Sequence, residues 1–410
     1  MRLFPFRALR PPARLAAAVA AVPYDVVDRQ EAASLALGNA VSFLHVTRPE
    51  IDLPPSIDSH HEQVYDQGRR ALEQFVALGT LVEDPEAALY IYRLEMAGRA
   101  QVGIVGCVHV DDYANDTIRK HEKTRRDKED DRTRHLLTLG AHPEPVFLAY
   151  RPSAAVNAAV ERETTAAPLY DFTAPDGVRH TLWRASNAAG LVDAFSQVPV
   201  SYVADGHHRC ASAWRAGSEL RAANLSHVGD ESYNRFPAVL FSSDQLRILP
   251  YNRVVRDLNG LAESDFLTQL ARVGRVEAVS FTGDATPPKP HVFHVFLPSG
   301  WYRLTLDPST IDQRDPVGAL AVSLLQERVL TPILGVGDPR TDERIDFVGG
   351  IRGTEELERR VRQGGMAVGF ALHPTSLDQL LAVADAGGIM PPKSTWFEPK
   401  LRSGLFVHVM

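Results

Sequence analysis

Apolar and polar positions alternate over several stretches of this chain, and most of its apolar runs are short and closed by turn residues. Ala88 to Glu95 and Gln101 to Val110 alternate on either side of Ala97-Gly98-Arg99, which predicts a hairpin. Leu169 to Phe172 and Arg179 to Arg184 flank Pro175-Asp176-Gly177 and predict a second. His291 to Leu297 and Trp301 to Leu306 bracket Pro298-Ser299-Gly300 and predict a third. Val146 to Tyr150 and Val198 to Ala204 are unbroken apolar runs of strand length, which fits buried strands. Val41 to Val46 predicts a short strand. Ala238 to Phe241 and Leu246 to Pro250 predict strands paired around Ser242-Ser243-Asp244.

Helical spacing covers Ala32 to Leu37, His61 to Leu78, Asp116 to Leu139, Asn157 to Thr165, Cys210 to Leu225, Leu261 to Ala271, Val317 to Leu330 and Leu377 to Ala386. Val348 to Phe370 reads strand, helix, strand, and Gly404 to Val409 a last strand. Strands and helices alternate, yet hairpins are frequent. That combination predicts an α+β protein, a mixed sheet with several hairpins and flanking helices, rather than a doubly wound parallel sheet.

With 410 residues the chain exceeds the size of about 250–300 residues at which one core stops growing. Three regions are expected: 1–150, 151–260 carrying the central motif, and 261–410. A net charge of −7 argues against a nucleic-acid partner. Two cysteines, Cys107 and Cys210, make neither a disulfide framework nor a cysteine-rich zinc site, and fit a reducing cytoplasm. Arg2, Arg7, Arg10 and Arg14 before the run Leu15 to Val22 imitate a secretion signal. Pro5, Pro11, Pro12 and the shortness of the run favour a folded N-terminal region instead. No apolar run is long enough to cross a membrane, so no membrane partner is expected.

The stretch richest in chemistry is Asp205-Gly206-His207-His208-Arg209, between a buried strand and a helix. A strand-to-helix turn offers free backbone N–H groups and the positive end of a helix dipole, which favour an anion. Arg209 adds a planar fork suited to phosphate. His207 and His208 are able to donate hydrogen bonds, move protons or bind metal. Asp205 suits proton acceptance or a cation.

Other stretches are weaker. Arg119-Lys120-His121-Glu122-Lys123-Thr124-Arg125-Arg126 reads as a solvated, ion-paired helix face, on which a phosphate ligand would relieve the repulsion among the cations. Met390-Pro391-Pro392-Lys393-Ser394-Thr395 is a stiff loop able to present Lys393 to a phosphate. It lacks the glycines of a P-loop. Lys400 either serves the same patch or sits in solvent. Pro23-Tyr24-Asp25-Val26 puts a carboxylate beside an aromatic ring. Gly335-Val336-Gly337-Asp338-Pro339-Arg340 lacks the third glycine of a dinucleotide loop. No His-Glu-x-x-His occurs, and a magnesium ion carried by a nucleotide fits better than a protein-held zinc.

Taken together, Pro23 to Val26, Arg119 to Thr124, Ala204 to Arg209 and Met390 to Thr395 give the chain a resemblance to domain-of-unknown-function family 1015 (DUF 1015) over most of its length. Asn252, in Leu249-Pro250-Tyr251-Asn252-Arg253, stands where the family pattern has histidine. The Asp-Gly-His-His-Arg stretch also resembles the phosphate-binding motif of ParB-like proteins, particularly their free-serine kinase branch. That resemblance implies a ParB/sulfiredoxin-like core element around residues 190–225. It implies that Gly206, His207, His208 and Arg209 hold nucleotide phosphates, and that Asp205 lies beside the reacting hydroxyl or its metal. The kinase branch uses a glutamate as general base, for which Glu122 is the candidate on chemical grounds.

The expectation is therefore a cytoplasmic, nucleotide-dependent phosphotransferase acting on a small hydroxylated metabolite such as free serine. Magnesium with ATP or ADP would be its cofactor. Asp205, Glu122 and His121 are the catalytic candidates. Gly206, His207, His208, Arg209, Lys393, Ser394, Thr395 and Arg125 are the phosphate candidates, and Tyr24, Asp25 and Thr124 the substrate candidates. Asp205 is also the metal candidate, sharing the ion with the nucleotide phosphates. Two alternatives stand beside this: a ParB-like nucleotide switch without turnover, and a metal-dependent hydrolase using Asp205, His207 and His208.

Overall fold

The computed structural model describes residues 1–410. The chain forms two compact units, one of Met1–Leu246 with Pro399–Met410 and one of Arg247–Glu398. The expected boundary near 150 falls inside the sheet of the first unit, and the one near 260 lies within the second.

The first unit is built on nine strands: β1 (Leu3–Phe4), β2 (Tyr90–Met96), β3 (Arg99–His109), β4 (Ile118–Arg119), β5 (Val146–Tyr150), β6 (Tyr170–Thr173), β7 (Arg179–Arg184), β8 (Ser201–Asp205) and β9 (Arg235–Ser242). Their order is β4-β8-β5-β9-β3-β2-β7-β6, with β1 on β3. β4 runs parallel to β8 and β5 parallel to β9; the other pairs are antiparallel. The expected mixed sheet and its first two hairpins are present. β5 is buried throughout, as its unbroken apolar run requires of a strand covered on both faces. Ile104, Val108, Leu148, Val203, Phe236 and Leu240 belong to its main core.

The helices of eight residues or more in this unit are α1 (Arg29–Ala36), α2 (Glu62–Ala77), α3 (Arg126–Leu139), α4 (Ala154–Glu163), α5 (Ala188–Ser196) and α6 (His207–Ala223). α6 packs on α3, and α4 on α5. α6 starts at His207, three residues before the apolar pattern indicates, because Gly206 makes the turn.

Three expectations fail here for local reasons. Val41 to Val46 is not a strand; Leu44–Thr47 forms a helical turn. Asn39 and Ser42 accept the N–H groups of Val41 and Leu44, and such side-chain bonds compete with a strand ladder. The charged helix begins at Arg126, not at Asp116. Asp116 adopts φ +60°, and Ile118 is fully buried where β4 joins the sheet. Residues 120–125 are therefore a non-helical connection, and His121 to Arg125 do not line a helix face. Ser243–Gln245 is a short helical turn, and Ile248–Leu249 pairs with Trp396–Phe397 of the second unit instead of with Ala238 to Phe241.

The second unit has a six-stranded antiparallel sheet of β10 (Tyr251–Val255), β11 (Arg275–Val279), β12 (Val292–Leu297), β13 (Gly300–Thr305), β14 (Ile345–Gly349) and β15 (Val368–Leu372), ordered β11-β13-β12-β15-β10-β14. β12 and β13 are the third expected hairpin. Helices α7 (Glu263–Val273), α8 (Glu355–Gln363) and α9 (Leu377–Asp385) accompany it, and the expected helix of Val317 to Leu330 is present as Ala321–Leu325 continued by the wider helical stretch Gln326–Leu330. No helix in the chain is long and apolar enough to cross a membrane.

Candidate functional site

β8 ends at Asp205 and α6 begins at His207, with Gly206 between them at φ +97°. That left-handed conformation suits glycine. A Cβ at Gly206 would also lie 3.0 Å from Cζ and Nε of Arg209, so the bare backbone makes room for a guanidinium folding back over it.

Arg209 sits in the first turn of α6 and reaches back to the strand. Its Nη2 donates to Oδ2 of Asp205 at 2.7 Å, and its Nη1 donates to the carbonyl of Pro145 at 2.6 Å. The same Nη2 lies 3.9 Å from Oδ2 of Asp25. Burial works against the Arg209 charge, but Asp25, Asp205 and Glu144 outweigh it and hold the guanidinium above its usual value. Lys400 reaches the other carboxylate oxygen, donating to Oδ1 of Asp205 at 3.0 Å. Burial would raise the Asp205 carboxyl; Lys400 and Arg209 more than reverse this and keep it ionised, well below the usual range.

Tyr24 and Asp25 lie on the short helical turn Tyr24–Val26. The Tyr24 N–H donates to Oε1 of Glu144 at 3.1 Å, and Ser403 Oγ donates to the same oxygen at 2.6 Å. Burial pushes the Glu144 carboxyl up, against the pull of Arg209. The Arg132 guanidinium lies 4.4 Å from the centre of the buried Tyr24 ring. Asp205, Asp25 and Glu144 thus place three carboxylates around the Arg209 guanidinium at the start of α6.

The imidazoles stand on the other flank. His121 and His207 meet edge to face, with ring centres 4.4 Å apart. Both ring nitrogens of His121 and Nε2 of His207 are buried without a hydrogen-bond partner. Burial lowers the His121 pKa to about 4 and takes His207 well below its usual value, so both rings are neutral near pH 7. His207 Nδ1 is 3.8 Å from Oε2 of the partly exposed Glu122. His208 accepts the Arg125 N–H at Nε2, 3.1 Å away, and burial lowers its pKa too. The Arg125 side chain pairs with Asp127 at 2.7 Å, and Thr124 donates to Glu129.

The first unit therefore brings together Tyr24, Asp25, His121, Glu122, Thr124, Arg125, Asp205, Gly206, His207, His208 and Arg209 around one strand-to-helix turn. Lys393, Ser394 and Thr395 belong to the second unit. There Ser394 Oγ donates to the Pro391 carbonyl at 2.6 Å. No three His, Cys, Asp or Glu side chains converge as a metal-binding group, Asp205, His207 and His208 included. Sequence reading missed Glu144, Arg132 and Ser403. The order Pro143-Glu144-Pro145, a carboxylate between prolines at the mouth of a buried strand, was the available signal.

A mixed α+β unit with a charged strand-to-helix turn defines the class. The chain belongs to the family described as "Protein of unknown function (DUF1015)", whose model matches residues 3–323. That span includes the Asp205 turn and stops short of Met390–Thr395. The sequence matches no curated protein. Among solved structures, a free serine kinase in complex with AMP is 13% identical, over 73% of this chain and 90% of that one, with a TM-score of 0.37. SbnI from Staphylococcus aureus, truncated at its C-terminus, is 13% identical over 74% and 87%, at 0.38. A conserved hypothetical protein from Pyrococcus furiosus is 12% identical over 74% and 94%, at 0.36.

Proposed function

We propose that this protein is a cytoplasmic phosphotransferase that moves a phosphoryl group from ATP or ADP to the hydroxyl of a small metabolite, with free serine as the first substrate to test. One observation carries the reading. An ionised Asp205, clamped by Lys400 and Arg209, stands at the N-terminus of the 17-residue helix α6, which no side chain caps. The resemblance of Ala204 to Arg209 to the ParB-like phosphate motif supports the same use, with a ParB/sulfiredoxin-like element around residues 190–225.

Phosphoryl transfer asks mainly for positioning and for neutralisation of charge. The N–H groups at Gly206 to His208 supply the phosphate cradle. Arg209 orients Asp205 and sets the charge of the turn. Neutral His207 and His208 contribute hydrogen bonds without adding repulsion among cations. Magnesium fits as an ion that arrives on the nucleotide, since such ions need only one or two protein carboxylates. Asp205 and Asp25, both facing Arg209, are the residues that would hold it. The ion would neutralise phosphate charge when bound.

A carboxylate kept as acidic as Asp205 is a weak base, so the proton of the acceptor hydroxyl goes to Glu122, at the solvent side of His207. His121 stays neutral and dry behind His207 and fixes its ring. Tyr24, Asp25 and Thr124 would serve the acceptor and Arg125 the phosphates, Thr124 and Arg125 by exchanging their bonds to Glu129 and Asp127.

The test is incubation with ATP or ADP, magnesium and a pool of hydroxylated metabolites including serine, read by mass spectrometry. A phosphorylated product is expected. Glu122→Gln is expected to lower kcat by about 10²–10⁴-fold with little change in nucleotide affinity. Absence of any product with either nucleotide, in a protein that does not bind them, removes the proposal.

A further inference from the structure

The second unit contains a buried cation with no anion to meet it. Arg253 is 4% exposed. Its guanidinium donates to the carbonyls of Tyr251, Pro392 and, at 3.0 Å, Lys393. Carbonyl dipoles satisfy hydrogens but do not cancel a full charge. The other deeply buried arginines of the chain face carboxylates: Arg209 has Asp205, and Arg402 has Asp176. Arg253 has none, and burial lowers its pKa to about 9. A charge left in that condition is costly, and chains retain it where something else supplies the counter-charge.

The surroundings say what kind of group that is. Tyr251 and Arg253 are two apart on β10 and so share one face of the sheet. Phe347 lies opposite Arg253 on β14, with its ring centre 5.1 Å from the guanidinium carbon. Trp396 packs edge-on against Tyr251, with ring centres 5.2 Å apart, and lies over Gly349, where a Cβ would be 2.7 Å from its ring. Lys393, a non-glycine residue at φ +56°, places Nζ 5.6 Å from the centre of the Tyr251 ring. Two cations and three aromatic walls therefore share one corner, closed by the loop that Arg253 grips.

We propose that this corner, formed by Arg253 and Lys393 between Tyr251, Phe347 and Trp396, is a second oxyanion site that takes a phosphate group. The inference stands on the second unit alone and does not depend on the reading of the Asp205 turn. The N–H groups that Arg253 does not spend on the loop carbonyls and the exposed Lys393 ammonium offer donors and charge to a tetrahedral oxyanion, beside half-buried aromatic rings. Both a nucleotide and a phosphorylated product carry that group.

The experiment titrates the full chain with inorganic phosphate at constant ionic strength and follows tryptophan emission, with Trp396→Phe identifying the signal of Trp396. A saturable change that is absent with chloride is expected. In Lys393→Met, an exposed position, the half-saturating concentration is expected to rise at least about tenfold with no change in fold by circular dichroism. Arg253→Met is expected to abolish the signal; if that variant does not fold, Lys393→Met decides. The signal is expected to survive Arg209→Met, which separates this site from the Asp205 turn. ADP and phosphoserine are the source arms: saturation by ADP alone assigns a nucleotide phosphate, and saturation by both assigns the phosphate group irrespective of carrier. No saturable change in the wild-type protein, or the same half-saturation in Lys393→Met, overturns the proposal.

Discussion

Lys400 and Asp205 are 195 positions apart in sequence, yet Lys400 Nζ donates to Asp205 Oδ1 at 3.0 Å. The last dozen residues return to the first unit, and this bond ties them to the strand end that opens α6. Three residues later, Ser403 makes a second tie to this unit through Glu144, at 2.6 Å. The turn at Asp205 is held from both ends of the polypeptide.

Lys400→Met should therefore be felt at the turn as well as at the terminus. The substitution keeps the length of the side chain and leaves one oxygen of a largely buried carboxylate without its strongest donor. The expected loss is about 1–3 kcal/mol in urea denaturation. The Asp205 carboxyl should titrate at higher pH in the variant, visible by carbon NMR.

Acid should weaken the first unit in two steps. His121 has a folded-state pKa of about 4, below its unfolded value of about 6.5, so the unfolded chain binds the extra proton first as pH falls. Stability is then lost from pH 6.5 down to about 4, with a share near 2 kcal/mol already gone at pH 5. His121→Gln should flatten that part of the profile between pH 7 and pH 5. Identical slopes in the two proteins would show that the ring is not dry.

Below that window the carboxylates take over. Asp131 is lowered to about 2, although burial opposes the shift, by Arg132 and by the hydroxyl of Tyr65 at 2.7 Å. A depressed acid contributes stability that is complete above its unfolded value, about 3.9, and disappears as pH falls through its folded value. Asp131→Asn should abolish the part of the acid unfolding that lies between pH 4 and pH 2 in the wild-type protein. Calorimetry across that range reads it.

How far the sequence could be read follows from what each signal encodes. The hairpins at Gly98, Gly177 and Gly300 were legible because a turn and its alternating flanks are local. The Asp205 turn was legible because an apolar run, a glycine and a helix occur in order. Ile118 was not: a two-residue parallel pairing with Ser201 and Tyr202 leaves no periodic trace, and the charges after it imitate a helix. Sequence reading proposed Arg209 as a phosphate fork, but the direction of its side chain was not legible. Whether a fork points out or folds back depends on Asp205, Pro145 and the missing Cβ of Gly206, which spacing alone does not report. Glu144 escaped for the same reason, being one carboxylate whose partners Tyr24 and Ser403 are each more than a hundred residues away.

Gly206→Ala is the sharpest probe of the turn, because it adds one methyl group and changes no charge. Two costs act together. The residue must keep φ near +97°, a region that an alanine enters at about 1–2 kcal/mol. The new Cβ would also stand 3.0 Å from Cζ and Nε of Arg209, so the guanidinium must shift. That shift lengthens the 2.7 Å bond to Asp205 or the 2.6 Å bond to Pro145. The expected result is a folded protein, destabilised by roughly 2–3 kcal/mol from the strain and the weakened hydrogen bond combined. Nucleotide affinity should fall by about tenfold or more as the cradle of N–H groups at the start of α6 is displaced. Equilibrium denaturation and nucleotide titration on the same preparation separate the two effects. A variant that loses stability yet binds ATP and ADP as tightly as the wild-type protein would place the phosphates away from this turn.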